Sequence, residues 1–164
     1  MKFEARTAAR IALLCVGTLL VGAAAAQEKE AAAMRSRWAG SDDTDHFLKE
    51  PPVRSELQRL LGAQRGHLER NLNVAGSVDL VGGALQLSGN APHQGTEEEA
   101  VVCVIPPGKV VEAAIFSRGA VTVFAKDAQY DYVSRCIKDW ITLVNSRHAA
   151  RINQPRNVRV VVPR

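Results

Sequence analysis

One histidine stands out among the residues that could do chemistry. In the run Gly83 to Gly95, GALQLSGNAPHQG, a short β-favouring stretch leads into a polar loop that presents Pro92 and His93 between small residues. Pro92 restricts its own φ and the conformation of Ala91, while Gly89 and Gly95 let the chain turn tightly, so the loop can project His93 as a knob. An imidazole donates a hydrogen bond from one nitrogen when neutral and from both when charged, which suits it to a cleft holding paired carboxylates. Glycoside hydrolases have such clefts. On loop chemistry alone, a polar tip without a role remains the simpler reading.

The same histidine precedes Glu97, Glu98 and Glu99, and a histidine beside carboxylates can act as acid or base when geometry tunes the pair. No serine or cysteine sits in a nucleophile elbow, however, and no glycine loop is built to cradle phosphate. An enzyme is therefore the weakest of three functional classes, and no catalytic residue and no cofactor is expected. Asp42, Asp43, Asp45 and His46 form an acidic cluster without a calcium-type turn or a second ligand group, which reads as a solvated turn or helix cap and not as a metal site.

These residues must be positioned by elements the sequence also signals. Lys2, Arg6 and Arg10 precede the apolar run Ile11 to Ala23, and Ala24 and Ala26 place small residues before Gln27: a cleavable secretory signal over 1–26, its apolar run too short to span a bilayer. Cys15 lies inside that run, as a signal-peptide residue and not a lipid attachment site. The expectation is a periplasmic protein with no integral membrane segment after processing. Of the formal +4 charge, +2 comes from the signal (three basic residues less Glu4), leaving +2 on the remainder. Nucleic acid is excluded as a main ligand, since phosphate binding needs a concentrated cationic face. Cys103 and Cys136 remain, and in an oxidising compartment a disulfide is the economical reading, with two buried thiols as the alternative. No Cys or His group sits at zinc spacing.

Residues 27–50, rich in alanine and charge and interrupted at Gly40-Ser41-Asp42-Asp43, read as a flexible N-terminal arm. A single domain over 51–145 follows. Val53, Leu57, Leu60, Leu61, Leu68 and Leu72 recur at helical spacing after Pro51-Pro52, predicting an amphipathic helix bent near Gly62 or Gly66, with His67 exposed on it. Short β-favouring runs then alternate with Gly82-Gly83, Pro106-Pro107-Gly108 and Arg118-Gly119, predicting an antiparallel meander of four to five strands. A second helix from Asp127 to about Asn145 carries Tyr130, Val133, Ile137, Trp140, Ile141 and Val144 on one stripe, and Cys136 beside that stripe could staple it to a strand bearing Cys103. The class is α+β. Residues 146–164, with Arg147, Arg151, Arg156, Arg159 and Arg164, read as a basic C-terminal tail in which Val158 to Val162 could add an edge strand.

Leu85-Gln86-Leu87, Asn90-Ala91-Pro92-His93-Gln94-Gly95, Ala100-Val101-Val102-Cys103-Val104 and the turn at Pro107-Gly108-Lys109 together resemble the family of periplasmic inhibitors of vertebrate lysozyme, in which a strand enters a protruding loop of pattern C-K-P-H-D-C-G. Pro92 and His93 match that loop directly. Asn90 and Gly95 stand where the family has its two loop cysteines, so this chain resembles a divergent member without the small loop disulfide. The resemblance implies an α+β fold with an antiparallel sheet, a protein partner of the C-type lysozyme class, and inhibition by a loop histidine that meets the catalytic carboxylates. On this reading Asn90, Pro92, His93, Gln94, Glu97 and Glu98 contact the partner, and Glu97, Glu98 and Glu99 form an acidic rim that steers approach to a basic enzyme. The rival is an envelope adaptor or ligand-binding module that uses the sheet surface or the arginine tail. The sequence leaves open whether the chain forms a homodimer.

Overall fold

The computed structural model describes residues 23–108, 110–147 and 156–163. The expected signal segment lies largely outside the described residues. Helix α1 covers 23–38, and α2 follows at Thr44–Lys49. These stretches correct the expected flexible arm. Met34, Trp38 and Phe47 are buried in the main core, and Trp38 meets Phe47 edge-on with ring centroids 5.5 Å apart. Asp43 caps α2, accepting from the His46 backbone N–H and lying 2.7 Å from His46 Nδ1, so the acidic cluster serves a helix start.

The predicted bent helix is two helices. α3 spans Pro51–Leu61, with its prolines in the first turn where a missing N–H costs nothing, and α4 spans Arg65–Asn71. Gly62 breaks them apart at φ 49, a left-handed conformation that favours glycine, and a short 3-10 turn covers Gly62–Gln64.

The sheet has seven strands: β1 Val74–Ala75, β2 Asp79–Val81, β3 Ala84–Asn90, β4 Glu98–Ile105, β5 Val110–Ser117, β6 Ala120–Phe124 and β7 Val158–Val161. Their order is β1-β3-β4-β5-β6-β7, with β2 also pairing to β3. The meander is antiparallel as expected, but the sheet is larger than four or five strands. β7 supplies the difference at one edge by pairing parallel to β6, Val121 opposite Val158. A helix precedes β7, and that intervening element is what allows the parallel return. At the other edge β1 crosses β3 so closely that a Cβ on Gly89 would stand 2.7 Å from the Val74 carbonyl oxygen.

Both faces of the central strands are covered. Ala100, Val102, Val104, Val111, Ala113 and Ile115 pack beneath α1 to α4. Val101, Cys103, Ala114 and Phe116 pack against α5, Arg135–Arg147, through Ile137, Trp140, Ile141 and Val144. Strand periodicity of two sends alternate side chains of β4 to opposite layers, which is why the strand is apolar without interruption from Ala100 to Ile105 and not at every second residue. α5 starts later than its apolar stripe, because Tyr130–Tyr132 forms a 3-10 turn and Ser134 caps the helix through Ile137 N–H. Buried Glu112 accepts from the Ser134 N–H at 3.0 Å, placing an anion at the helix start. A disulfide joins Cys103 on β4 to Cys136 on α5, the helix-to-sheet staple that the sequence suggested.

Candidate functional site

Two hairpin tips lie side by side at one end of the sheet. β3 and β4 are joined by residues 91–97, β5 and β6 by Arg118 and Gly119, and the register places Glu98 opposite Ser117. Three non-glycine residues among those described have positive φ, namely His93 at 60°, Thr96 at 76° and Arg118 at 52°. All three sit on these two tips. Left-handed backbone costs an ordinary residue roughly 1–2 kcal/mol, so its concentration here marks this end as the place to look for function.

The β3–β4 loop lacks a covalent clasp but is closed by hydrogen bonds. Ala91 N–H donates to the Glu98 carbonyl at 2.9 Å, Gln94 N–H to the Ala91 carbonyl at 3.0 Å, and Glu98 N–H to the Gln94 carbonyl at 3.0 Å. Asn90 Nδ2 donates to the same Ala91 carbonyl at 2.9 Å, and Ala91 is buried as the loop's apolar root. Asn90 and Gly95 face each other, since a Cβ on Gly95 would lie 3.6 Å from Asn90 Nδ2. Pro92, His93 and Gln94 are exposed above this base. His93 makes no hydrogen bond or ion pair with any other described residue, so its ring nitrogens are available to an outside group.

The three consecutive glutamates do not form one rim. Glu97 is exposed in the loop, whereas Glu98 and Glu99 open β4 and turn to opposite faces. Glu98 lies 2.9 Å from His67 Nε2, and accepts from Asn71 Nδ2 at 3.1 Å, Arg70 at 3.3 Å and Ser117 Oγ at 2.5 Å. Burial disfavours its charged form, but hydrogen bonds from Ser117, His67 and Asn71, with the charge of His67, outweigh that and hold its carboxyl down to about 2. Glu98 is thus an internal anchor for the loop exit. Its partner His67, expected exposed, is half-buried against it. Buried Glu99 faces the other layer and pairs with Arg147 on α5 at 3.1 Å. No local pattern marks His67, Asn71 and Ser117 as loop supports, because they converge from α4 and β5.

A cleft of about 320 Å³ runs between the two tips, lined by Gln94, Thr96, Glu97, Glu98, Phe116, Arg118 and Gly119. A larger open groove of about 790 Å³ crosses β5 to β7, with Gln64 and His67 on its helical side. Several of its polar groups are bonded internally: Ser117 to Glu98, Arg159 to Thr122, and Asn157 to both Asn145 and the Gly119 carbonyl, while Gln64 and Arg156 are exposed on its walls. Among the described residues no group of three or more His, Cys, Asp or Glu could hold a metal ion, and no helix is long and apolar enough to cross a membrane.

A family model described as inhibitor of vertebrate lysozyme (Ivy) matches residues 52–146, more than half of the 164-residue chain. No curated protein and no solved structure gives a match. The matched span holds both hairpin tips, α4, and nearly all of α3 and α5.

Proposed function

The chain belongs to the inhibitor of vertebrate lysozyme family, a family of inhibitors and not of enzymes, and from that premise we propose that it blocks a C-type lysozyme by placing the Pro92-His93 tip in the active-site cleft. The observation that carries this reading is the exposure of His93, at positive φ, on a loop closed by its own hydrogen bonds. A retaining glycosidase holds its two carboxyl groups about 5 Å apart. One imidazole seated between them can reach both, donating from each nitrogen when charged. The partner then keeps its carboxylates satisfied but loses the space its substrate needs. Pro92, Gln94 and Asn90 shape and flank the tip, and Glu97 is the rim acid left free to favour approach of a basic enzyme. Glu98 acts from below, through the loop's footing.

The place of action is the periplasm, supported by the basic, apolar and small-residue pattern over 1–26 and by a disulfide of the kind that persists in oxidising compartments. Of the arginines on which the adaptor reading relies, Arg147 is paired with Glu99 and Arg159 is tied to Thr122, while Arg156 is exposed. Titrating the purified protein against C-type lysozyme tests the proposal. The wild type should inhibit, and His93→Ala should raise the inhibition constant at least about 30-fold, the lower end of what truncating one partner of a buried charged pair costs. Equal inhibition by the two proteins refutes the role of His93, and no inhibition by the wild type refutes the reading as a whole.

A further inference from the structure

We infer that the β5–β6 turn is a second contact point for the same partner, with the Arg118 guanidinium reaching a carboxylate beside the cleft that His93 enters; this rests on the proposed inhibition. Arg118 and Gly119 have φ 52 and 80, the φ pair of a type I′ two-residue hairpin turn, and Ser117 pairs directly with Ala120. Such turns favour Asn-Gly or Asp-Gly, because both central residues must be left-handed. An arginine there breaks the local rule, and departures from local rules concentrate where function demands them.

The turn is also braced from behind. Asn157 Nδ2 donates to the Gly119 carbonyl at 3.0 Å, and Val121 N–H donates to the Asn157 carbonyl at 2.8 Å. Arg118 itself is exposed and has no hydrogen bond or ion pair with any other described residue. A braced turn therefore holds out a free guanidinium, and Arg118 lines the same cleft as Gln94 and Thr96 of the His93 loop. A guanidinium matches a carboxylate with two parallel N–H donors. The partner is identified by that chemistry: a cleft with acids in its floor and a further acid on its wall. The two tips would grip it as two prongs, His93 in the floor and Arg118 on the wall.

Arg118→Asn tests this without threatening the fold, since asparagine is a preferred residue for the turn. The inhibition constants of wild type, Arg118→Asn and His93→Ala are measured against C-type lysozyme, with melting temperatures and a salt series. Arg118→Asn should melt at or above the wild-type temperature yet inhibit about tenfold more weakly, as expected for losing one charge-assisted hydrogen bond. Its inhibition should also depend less on salt. If the wild type inhibits, His93→Ala does not, and Arg118→Asn stays within twofold of wild type, the second contact is overturned while the His93 reading stands. If the wild type fails to inhibit, both fall together.

Discussion

Adding a covalent clasp to the β3–β4 loop measures how well its hydrogen bonds already hold it. In the double variant Asn90→Cys with Gly95→Cys, the new side chains start in contact: a Cβ on Gly95 lies 3.7 Å from Asn90 Cγ, and Gly95 is not among the glycines at positive φ. A disulfide there would close a very short loop, removing about 2 kcal/mol of unfolded-chain entropy. The bond from Asn90 Nδ2 to the Ala91 carbonyl is lost, giving back about 1 kcal/mol. The net gain of about 1 kcal/mol should raise the melting temperature by about 3 °C. Inhibition should tighten only about threefold, because Ala91, Gln94 and Glu98 already order the loop backbone and leave little entropy to recover on binding. Thiol titration establishes the bond, and melting and inhibition are then compared with and without reductant. A hundredfold gain in inhibition on oxidation would show that the hydrogen-bonded loop is not preorganised, and two thiols that stay free under oxidant would show that positions 90 and 95 do not face each other.

Two other perturbations probe the scaffold. Glu98→Gln should destabilise the protein by roughly 1–3 kcal/mol at neutral pH through lost charge-assisted bonds. Because the Glu98 carboxyl is held at about 2, below its ordinary 4.5, its contribution is present above pH 4.5 and lost as pH falls through 2. Urea unfolding at pH 7 and pH 2 should therefore show a smaller loss on acidification for the variant, and parallel losses would remove Glu98 as the anchor. Gly89→Ala should cost roughly 2 kcal/mol, since its Cβ would meet the backbone of Val74 and Ala75 at 2.7 and 2.9 Å; an unchanged denaturation midpoint would show that β1 does not lie close across β3.

Local patterns carried the parts of the fold that depend on near neighbours. The leucine spacing located α3 and α4, the proline pair located the helix entry, and glycine-rich punctuation separated β2 through β6. The staple from Cys103 to Cys136 was readable because two cysteines in an oxidising setting leave one pairing. What failed was whatever depends on distant partners. The helices over 23–38 and Thr44–Lys49 look like a charged, alanine-rich tail until Met34, Trp38 and Phe47 are seen against the sheet. β7 has a strand-like run of valines, but nothing local says that it returns parallel to β6. The three glutamates look like one acidic flank because they stand together ahead of the apolar run from Ala100. Because β4 begins at Glu98, pleating turns Glu98 and Glu99 to opposite faces and makes both of them internal partners. Of the loop itself, Pro92 and His93 were legible, whereas the support from His67, Asn71 and Ser117 was not, since no spacing rule links positions 67, 98 and 117.

Neighbouring carboxylates at the mouth of β4 fasten the strand to two separate helical floors, Glu98 to α4 below and Glu99 to α5 above. The tip that His93 crowns thus grows from a beam bolted at one point to both storeys of the building. Loosening either storey would let that beam swing, so damage far from the tip would dull inhibition before the sheet itself came apart.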